Sequence, residues 1–575
     1  MDTPNPNPTP LAIAVPDPDR AFPTLTPQQI ARLSAHGQPR DVRQGEVLFE
    51  AGQPKVPVFV VVRGELEVFG SSETGDTPIV RYRAGHFSGE TNMISGRRAI
   101  AGLRALEAGE VIQIDRDHIL ALIQTDAELS EVLMRAFILR RTGLIAGHLG
   151  DVVVIGSTHD SGTLHVKEFL TRNGHPFRYV DLDEGTEAQS FFTRFQVGVA
   201  DLPIVVCRGR EVLRNPTNAE IADCLGFNET LDEGQVVDAV IVGAGPAGLA
   251  AAVYAASEGL DVLVVEGNVP GGQAGSSSRI ENYLGFPAGI TGLNLTGRAY
   301  AQALKFGAHV MVAQGARRLS CNGQRYTVDI GGKWPIAART VIIATGAQYR
   351  KPELENLSRF EGAGVYYGAT AMEAQLCGGE DVVVIGGANA AGQAAVFLAA
   401  TARRVHVLVR GHGVAETMSR YLIRRIEENP AIVLHSRTQL TGLEGHQRLE
   451  QVRWRDDRTG EVEAHPIRHV FVMMGGVPNT GWLDGCIALD DRGFVKTGAD
   501  LSAADLSAAN WPLARTPHLL ETSRPGIFAV GDVRSGNVKR VASAVGEGAI
   551  AVSFVHDVLR RADVEAVMSR AATTR

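Results

Sequence analysis

The stretch Val240–Gly248, VIVGAGPAG, decides how the rest of the chain is read. An apolar run enters a glycine-rich turn and leaves it as the small-residue run LAAAVYAASEG, the pattern by which a βαβ unit offers a helix N-terminus to a pyrophosphate. Gly243 suits the tight turn and Gly245 a close approach of backbone to phosphate. Pro246 and Ala247 open the helix, and Gly248 lets it pack on the strand. Glu266 ends the next apolar run, VLVVE, at the distance where an acid hydrogen-bonds the ribose of an adenine dinucleotide. A glycine-rich turn alone is a weak signal; the spaced acid turns it into a dinucleotide site.

A chain of 575 residues has room for about four domains at roughly 150 residues each. Its net charge of -8 argues against a nucleic-acid or anionic-membrane partner. The opening MDTPNPNPTPLAIAVPDPDR lacks a basic segment and is broken by prolines, so residues 1–21 read as a disordered tail rather than a targeting peptide. A cytoplasmic location is expected, with no membrane span. Five cysteines, Cys207, Cys224, Cys321, Cys377 and Cys486, are widely spread without any CxxC, so no metal site is expected.

Residues 22–150 alternate short apolar runs with glycine turns (EVLFEAG, VFVVVRGELEVFG, IVRYRAGHF), then change to helical spacing after Asp117. That is an antiparallel β-roll with helices beside it. It resembles the cyclic nucleotide-binding domain. The resemblance implies that Gly89 and Glu90 of FSGE hold a ribose and that an arginine pairs with the cyclic phosphate. Ala99 stands where that arginine belongs, which leaves Arg98 or Arg97 for the role if the loop shifts. The expectations are therefore a cyclic nucleotide effector site at Gly89, Glu90 and Arg98, or a degenerate roll serving as an interaction module.

Residues 151–228 have the order βαβαββα and resemble the thioredoxin and glutaredoxin fold. Where that family carries its CxxC, this chain reads Ser157-Thr158-His159-Asp160-Ser161, with no thiol to exchange. Pro203 stands at the position of the family's cis-proline. The segment is expected to be an α/β docking domain without redox chemistry of its own, and His159 an exposed loop residue.

After the opening stretch comes GNVPGGQAGSSSRIENYLGFPAGITG. This run resembles the flavin-binding half of low-molecular-weight thioredoxin reductases, and VIIATGA (341–347) and PGIFAVGDV (525–533) continue the resemblance. It implies FAD held by Gly271, Gly272, Gln273 and Asn282, by Gly531 and Asp532, and by Lys539, Arg540, Val541 and Ala542 at a helix start beside the flavin. The FAD domain is thus expected in two parts, 235–349 and 478–575, with a nicotinamide domain at 350–477 between them.

That insertion repeats the opening element: DVVVIGGANAAGQAAVFLAATARRVHVLVR aligns with DAVIVGAGPAGLAAAVYAASEGLDVLVVEG. Gly386, Gly387, Ala388, Asn389, Ala390 and Ala391 form its turn. Val409 replaces the ribose-binding acid, and Arg410 follows it, the change expected where a 2'-phosphate is accepted; NADPH is favoured over NADH. The fold class is therefore a multidomain chain of β-roll, thioredoxin-like α/β domain and two Rossmann-like domains.

Thioredoxin reductases carry Cys-Ala-Thr-Cys just before the second turn; here Gly368-Ala369-Thr370-Ala371 stands in its place. Without those sulfurs the chain has no interchange thiol and no catalytic residue to name. The resemblance implies a flavoprotein that moves hydride from NAD(P)H to FAD and on to another acceptor (a quinone, dioxygen or a ferredoxin-like carrier), gated by the N-terminal domain. One alternative is disulfide reduction through Cys377 or an external thiol. Another is a cyclic nucleotide-responsive binding protein with structural FAD. A homodimer is expected from the family.

Overall fold

Runs such as VVVIG, VIVG and VVVIGG are too apolar for a surface strand, and each becomes a central strand covered by helices on a parallel or mixed sheet. The computed structural model describes residues 15, 17–72, 75–158, 160–183, 201–208, 211–228, 232–277, 279–321, 325–332, 334–369, 371–415, 417–446, 448–483 and 485–573. His159, Thr370 and the helix expected between FRYVDLD and DLPIVVCRG lie outside them.

The N-terminal roll is built from two antiparallel sheets. One orders Gln38–Val42, Gly109–Ile114 and Val58–Arg63; the other orders Val47–Phe49, Gly102–Ala105, Leu66–Ser72 and Gly75–Tyr82. Helices Arg116–Thr125 and Ala127–Ala146 follow. Leu129, Leu133 and Phe137, four residues apart, face the roll and are fully buried with Phe59 and Phe87. Leu304 of the FAD domain joins the same core, so the roll is seated on helix Gly292–Lys305.

The second domain orders four strands as Glu211–Arg214, Ile204–Cys207, Val152–Gly156 and Arg178–Asp181. Val152–Gly156 runs parallel to Arg178–Asp181 and antiparallel to Ile204–Cys207. The bond Leu202–Pro203 is cis.

In the FAD domain, His309–Met311, Val262–Val265, Val236–Val242, Ile336–Ile343 and Ile527–Ala529 pair in parallel, and Tyr326–Asp329 and Arg318–Ser320 add an antiparallel flank. The nicotinamide domain has five parallel strands ordered Val365–Tyr366, His469–Val472, Asp381–Ile385, Arg404–Val409 and Ile432–Ser436. Chain enters and leaves it through one antiparallel pair, Ala347–Tyr349 with Gly476–Pro478. Among the described residues one helix is long and apolar enough to cross a membrane, over Val541–Val564. Its Ala551, Val552 and Val555 are buried against helix Pro246–Ser257 in the core of the FAD domain.

Candidate functional site

The first dinucleotide turn is shaped by where a side chain cannot go. A Cβ on Gly248 would stand 1.8 Å from the Gly243 carbonyl oxygen, and one on Gly243, at φ 106°, would stand 2.4 Å from the Ala344 oxygen. The strand and helix are therefore in backbone contact. Gly245 is the reverse case: its nearest neighbour would be the Gly272 Cα at 3.9 Å. The turns Gly243–Gly245 and Gly271–Gly272 thus meet at the start of helix Pro246–Ser257, where a Cβ on Gly272 would stand 3.1 Å from the Gly245 Cα; glycine on both sides leaves backbone N–H groups uncovered, a cradle that fits a pyrophosphate.

Glu266 accepts hydrogen bonds from the Ala244 N–H at 2.7 Å and the Asn268 N–H at 2.9 Å, which ties the end of its strand to the turn. Burial raises its carboxyl pKa, with those N–H groups opposing. The Gly531–Asp532 turn closes in from the other side: a Cβ on Gly531 would meet the Ala247 Cβ at 2.9 Å. The Gly531 N–H donates to Glu547, which Arg534 also grips. Burial raises the Asp532 carboxyl pKa, and Lys539, whose Nζ donates to the Asp532 carbonyl at 3.1 Å, pulls it down. Gln273 donates its amide to the Ala347 carbonyl. Arg540, Val541 and Ala542 begin the helix Val541–Thr573, whose first turn has the Ala544 N–H on the Arg540 carbonyl. Asn282 is exposed on the loop between Ile280 and Ile290 and makes no side-chain hydrogen bond among the described residues. Apart from Asn282, the residues expected to hold FAD lie around one cradle.

The second turn differs in detail. Gly386, at φ 142°, would place a Cβ 2.3 Å from the Met473 oxygen, so glycine is required there. Ala388 is exposed at the N-cap of helix Asn389–Leu398, Ala390 is exposed on its first turn, and Ala391 is buried. Asn389 accepts from the Ser419 N–H at 2.7 Å, and Thr417 donates to the Gly387 carbonyl at 2.6 Å. Arg410 is exposed at the end of its strand. Arg437, in the left-handed region at φ 53°, donates Nε to His412 Nδ1 at 3.1 Å, and its N–H bonds the Gly411 carbonyl. Arg437 thus brings a second guanidinium, from far along the chain, to His412 in the loop that follows Arg410. The local sequence carried no sign of it.

Gly368 lies against the FAD domain: its Cβ would stand 3.4 Å from the Ser276 Cβ, three residues beyond Gln273. Ala371 starts helix Ala371–Leu376. Cys377 is fully buried among Val384, Ala395 and Phe471, its Sγ near the Ala374 carbonyl at 3.6 Å. Burial pushes its thiol up to about 11, away from the range of a reactive thiolate, which weighs against the alternative in which it serves as a redox thiol. The cysteines are also less scattered in space than in sequence. Cys321 and Cys486 form a disulfide with Cα atoms 6.2 Å apart, and the buried Cys207 and Cys224 are hydrogen-bonded neighbours.

In the roll, a cavity of about 50 Å³ is lined by Tyr82, Gly89, Glu90, Ala99, Ile100 and Arg140. Glu90 accepts from Arg141 Nη1 at 3.1 Å, and its other oxygen is buried without a partner among the described residues. Arg140 donates to the carbonyls of Ala21, Phe87 and Gly89 while its guanidinium faces the rings of Phe22, Tyr82 and Phe87. The expected phosphate partner is not in this cavity. Ala99 is pinned into the wall by backbone bonds with Gln53 and Gly52, so the loop does not shift. Arg98 points outward, its Nε only 2.2 Å from where a Gly226 Cβ would be. Arg97 hydrogen-bonds Asn173 and the Tyr300 hydroxyl and lies over the Phe227 ring at 4.1 Å.

Three consecutive residues of the second domain, Arg172, Asn173 and Gly174, join all this together. Arg141 donates to the Gly174 carbonyl at 2.6 Å and Arg97 to Asn173. Arg172 donates to the Gly272 carbonyl at 2.5 Å and to Ser276 Oγ at 3.3 Å. The roll cavity and the flavin turn are thus one short chain of arginines apart.

Residues 237–548 match the family model described as pyridine nucleotide-disulphide oxidoreductase, and residues 39–126 match the cyclic nucleotide-binding domain. The chain is 33% identical over 330 residues to a thioredoxin reductase of Ureaplasma parvum, covering 57% of this chain and 98% of that one. It is 33% identical over 316 residues to the thioredoxin reductase of Mycolicibacterium smegmatis, covering 55% and 94%. Among solved structures, Lactococcus lactis thioredoxin reductase in its FR conformation aligns at a TM-score of 0.50 with 25% identity, over 56% of this chain and 99% of that one.

Proposed function

This chain belongs to the pyridine nucleotide-disulphide oxidoreductase family as a thioredoxin reductase-like flavoprotein, and from that premise we propose that it reduces an acceptor other than a disulfide of its own. Bound FAD supplies the acceptor for a hydride from the nicotinamide. The residues of this chain hold the dinucleotides: Gly243, Gly245, Gly248, Glu266, Gly272 and Asp532 the first, Gly386, Gly387 and Asn389 the second. The observation that carries the reading is Gly368 against Ser276: the position from which an interchange sulfur would face the flavin turn has no side chain. Cys377 offers no replacement from within its core. We assign NADPH as donor on the strength of Arg410 with Arg437 nearby.

The roll is read as a regulator, its signal passing from Glu90 through Arg141 and Asn173–Gly174 to Arg172 and Gly272. A cyclic nucleotide there would rely on Glu90 without Arg97 or Arg98. A homodimer, carried over from the family, and a cytoplasmic location belong to the same proposal. The deciding experiment is anaerobic mixing of the purified yellow protein with NADPH and with NADH. Bleaching of the flavin band without reduction of added thioredoxin is expected; a flavin left oxidised by both nucleotides overturns the reading. Calorimetry with cyclic AMP, repeated on Arg141→Ala, tests the regulatory half.

A further inference from the structure

A cleft of about 730 Å³ opens where the thioredoxin-like, FAD and nicotinamide domains meet. One wall is the first turn of helix Ser161–Arg172, Ser161 and Gly162, beside cis-Pro203. The facing wall is Gln273 and Ala347, the residues joined by the amide hydrogen bond at the flavin turn. The nicotinamide domain closes the third side, where a Cβ on Gly362 would be 2.6 Å from the Ser161 Cβ. The loop that would hold thiols in a working thioredoxin fold ends at Ser161, and its sequence, Ser157-Thr158-His159-Asp160-Ser161, contains no cysteine.

The lining selects its ligand. Lys351 is neutralised by Glu361 at 2.7 Å, and the Tyr367 hydroxyl donates to the same carboxylate. The charge is balanced internally and asks for no counter-ion. His165 is hydrogen-bonded to Asn218 at 3.3 Å. Ser161 Oγ and the side-chain amides of Asn215 and Gln348 have no hydrogen-bond partner among the described residues, while Val166, Pro203 and Pro216 are apolar. The lining mixes apolar faces with more numerous polar groups, so a small uncharged molecule that joins an apolar ring to hydrogen-bonding oxygens meets these conditions, and the volume falls in the range of roughly 300–1,000 Å³ for such ligands. A folded carrier, with a radius of gyration of about 13 Å for 100 residues, cannot enter.

We infer that this cleft is the acceptor site and that it takes a quinone, with the thioredoxin-like domain serving as its outer wall. The inference rests on the oxidoreductase reading above. The reaction balances as NAD(P)H, one proton and a quinone giving NAD(P)+ and a hydroquinone. The nicotinamide C4–H bond breaks with its electron pair, and two O–H bonds form on the quinone oxygens, the second proton coming from water.

The test uses full-length FAD-loaded protein and 2-methyl-1,4-naphthoquinone. Binding to the oxidised protein is read from perturbation of the flavin band, independently of turnover. Ser161→Trp and Gln348→Trp fill the cleft from two different domains, both at exposed positions. Each is expected to raise the Kd at least tenfold and to slow reoxidation of the reduced protein by the quinone to a similar degree. An unchanged Kd in either variant that keeps its FAD overturns the inference, as does faster reoxidation by a ferredoxin than by the naphthoquinone. If NADPH fails to reduce the wild-type flavin, the oxidoreductase reading falls instead, and the binding data still stand on their own.

Discussion

The two dinucleotide turns share a sequence pattern and differ in how they use it. At Gly243–Gly248 the strand, turn and helix are locked through backbone contacts that leave no room for a methyl group, except at Gly245, where one would meet the Gly272 Cα at 3.9 Å. At Gly386–Ala391 the first glycine is equally constrained, but alanines occupy the two later positions and the anchoring comes from side chains, Thr417 and Asn389. The first unit is fixed by its backbone and the second by side chains that can rearrange. That division matches a resident FAD and an exchanging nicotinamide.

The sharpest way to break the comparison is Gly248→Ala. Its Cβ has only backbone to displace at 1.8 Å, so we expect a loss of about 3 kcal/mol and protein purified without its yellow colour, read by absorbance and thermal unfolding. The matched Ala391 already carries that methyl group.

The second unit also has an acid weakness. His406, held against His435 at 3.0 Å, has its pKa lowered from 6.5 to about 4, chiefly by burial and then by His435. The folded state therefore binds fewer protons than the unfolded one. Stability is intact above pH 6.5 and is lost as pH falls towards 4, by about 2 kcal/mol at pH 5. Melting curves of His406→Gln should show a shallower slope over that range, with His435 and His469, also lowered by burial, keeping part of it.

Arg410→Ala should raise the Michaelis constant for NADPH about tenfold, the size of one exposed charge-assisted contact, while leaving that for NADH in place. Ala388→Gly removes a methyl group from the approach to the pyrophosphate and is expected to tighten NADPH two- to threefold, on the order of 0.5 kcal/mol. Cys377→Ser is expected to leave the rates of flavin reduction and reoxidation unchanged; slower turnover with a normal melting temperature would revive a role for that thiol.

Much of this architecture is legible in the sequence because glycines report backbone contacts directly. Gly243, Gly248 and Gly386 are required where their patterns place them, and the change from alternating to helical spacing near Asp117 marks the end of the roll. The loss of the thiol pair is equally plain at Gly368 and Ala371. What stays hidden is any contact made across domains. Arg98 looks like a phosphate ligand along the chain and turns out to cover Gly226, because Ala99 is fixed by the neighbouring strand end. Arg172 is an ordinary last-turn arginine by sequence, yet it reaches the Gly272 carbonyl. Cys321 and Cys486 meet across 165 residues, a pairing no local spacing announces.

The most direct measurement is an anaerobic titration of the FAD-loaded protein with NADPH, counting electrons taken up per flavin. A flavin accepts two electrons and an active-site disulfide two more. One equivalent of NADPH should bleach the band completely, with no further uptake. Consumption of two equivalents would reveal a disulfide in electronic contact with the flavin and contradict the reading built on Gly368, as would a band that NADPH leaves unchanged.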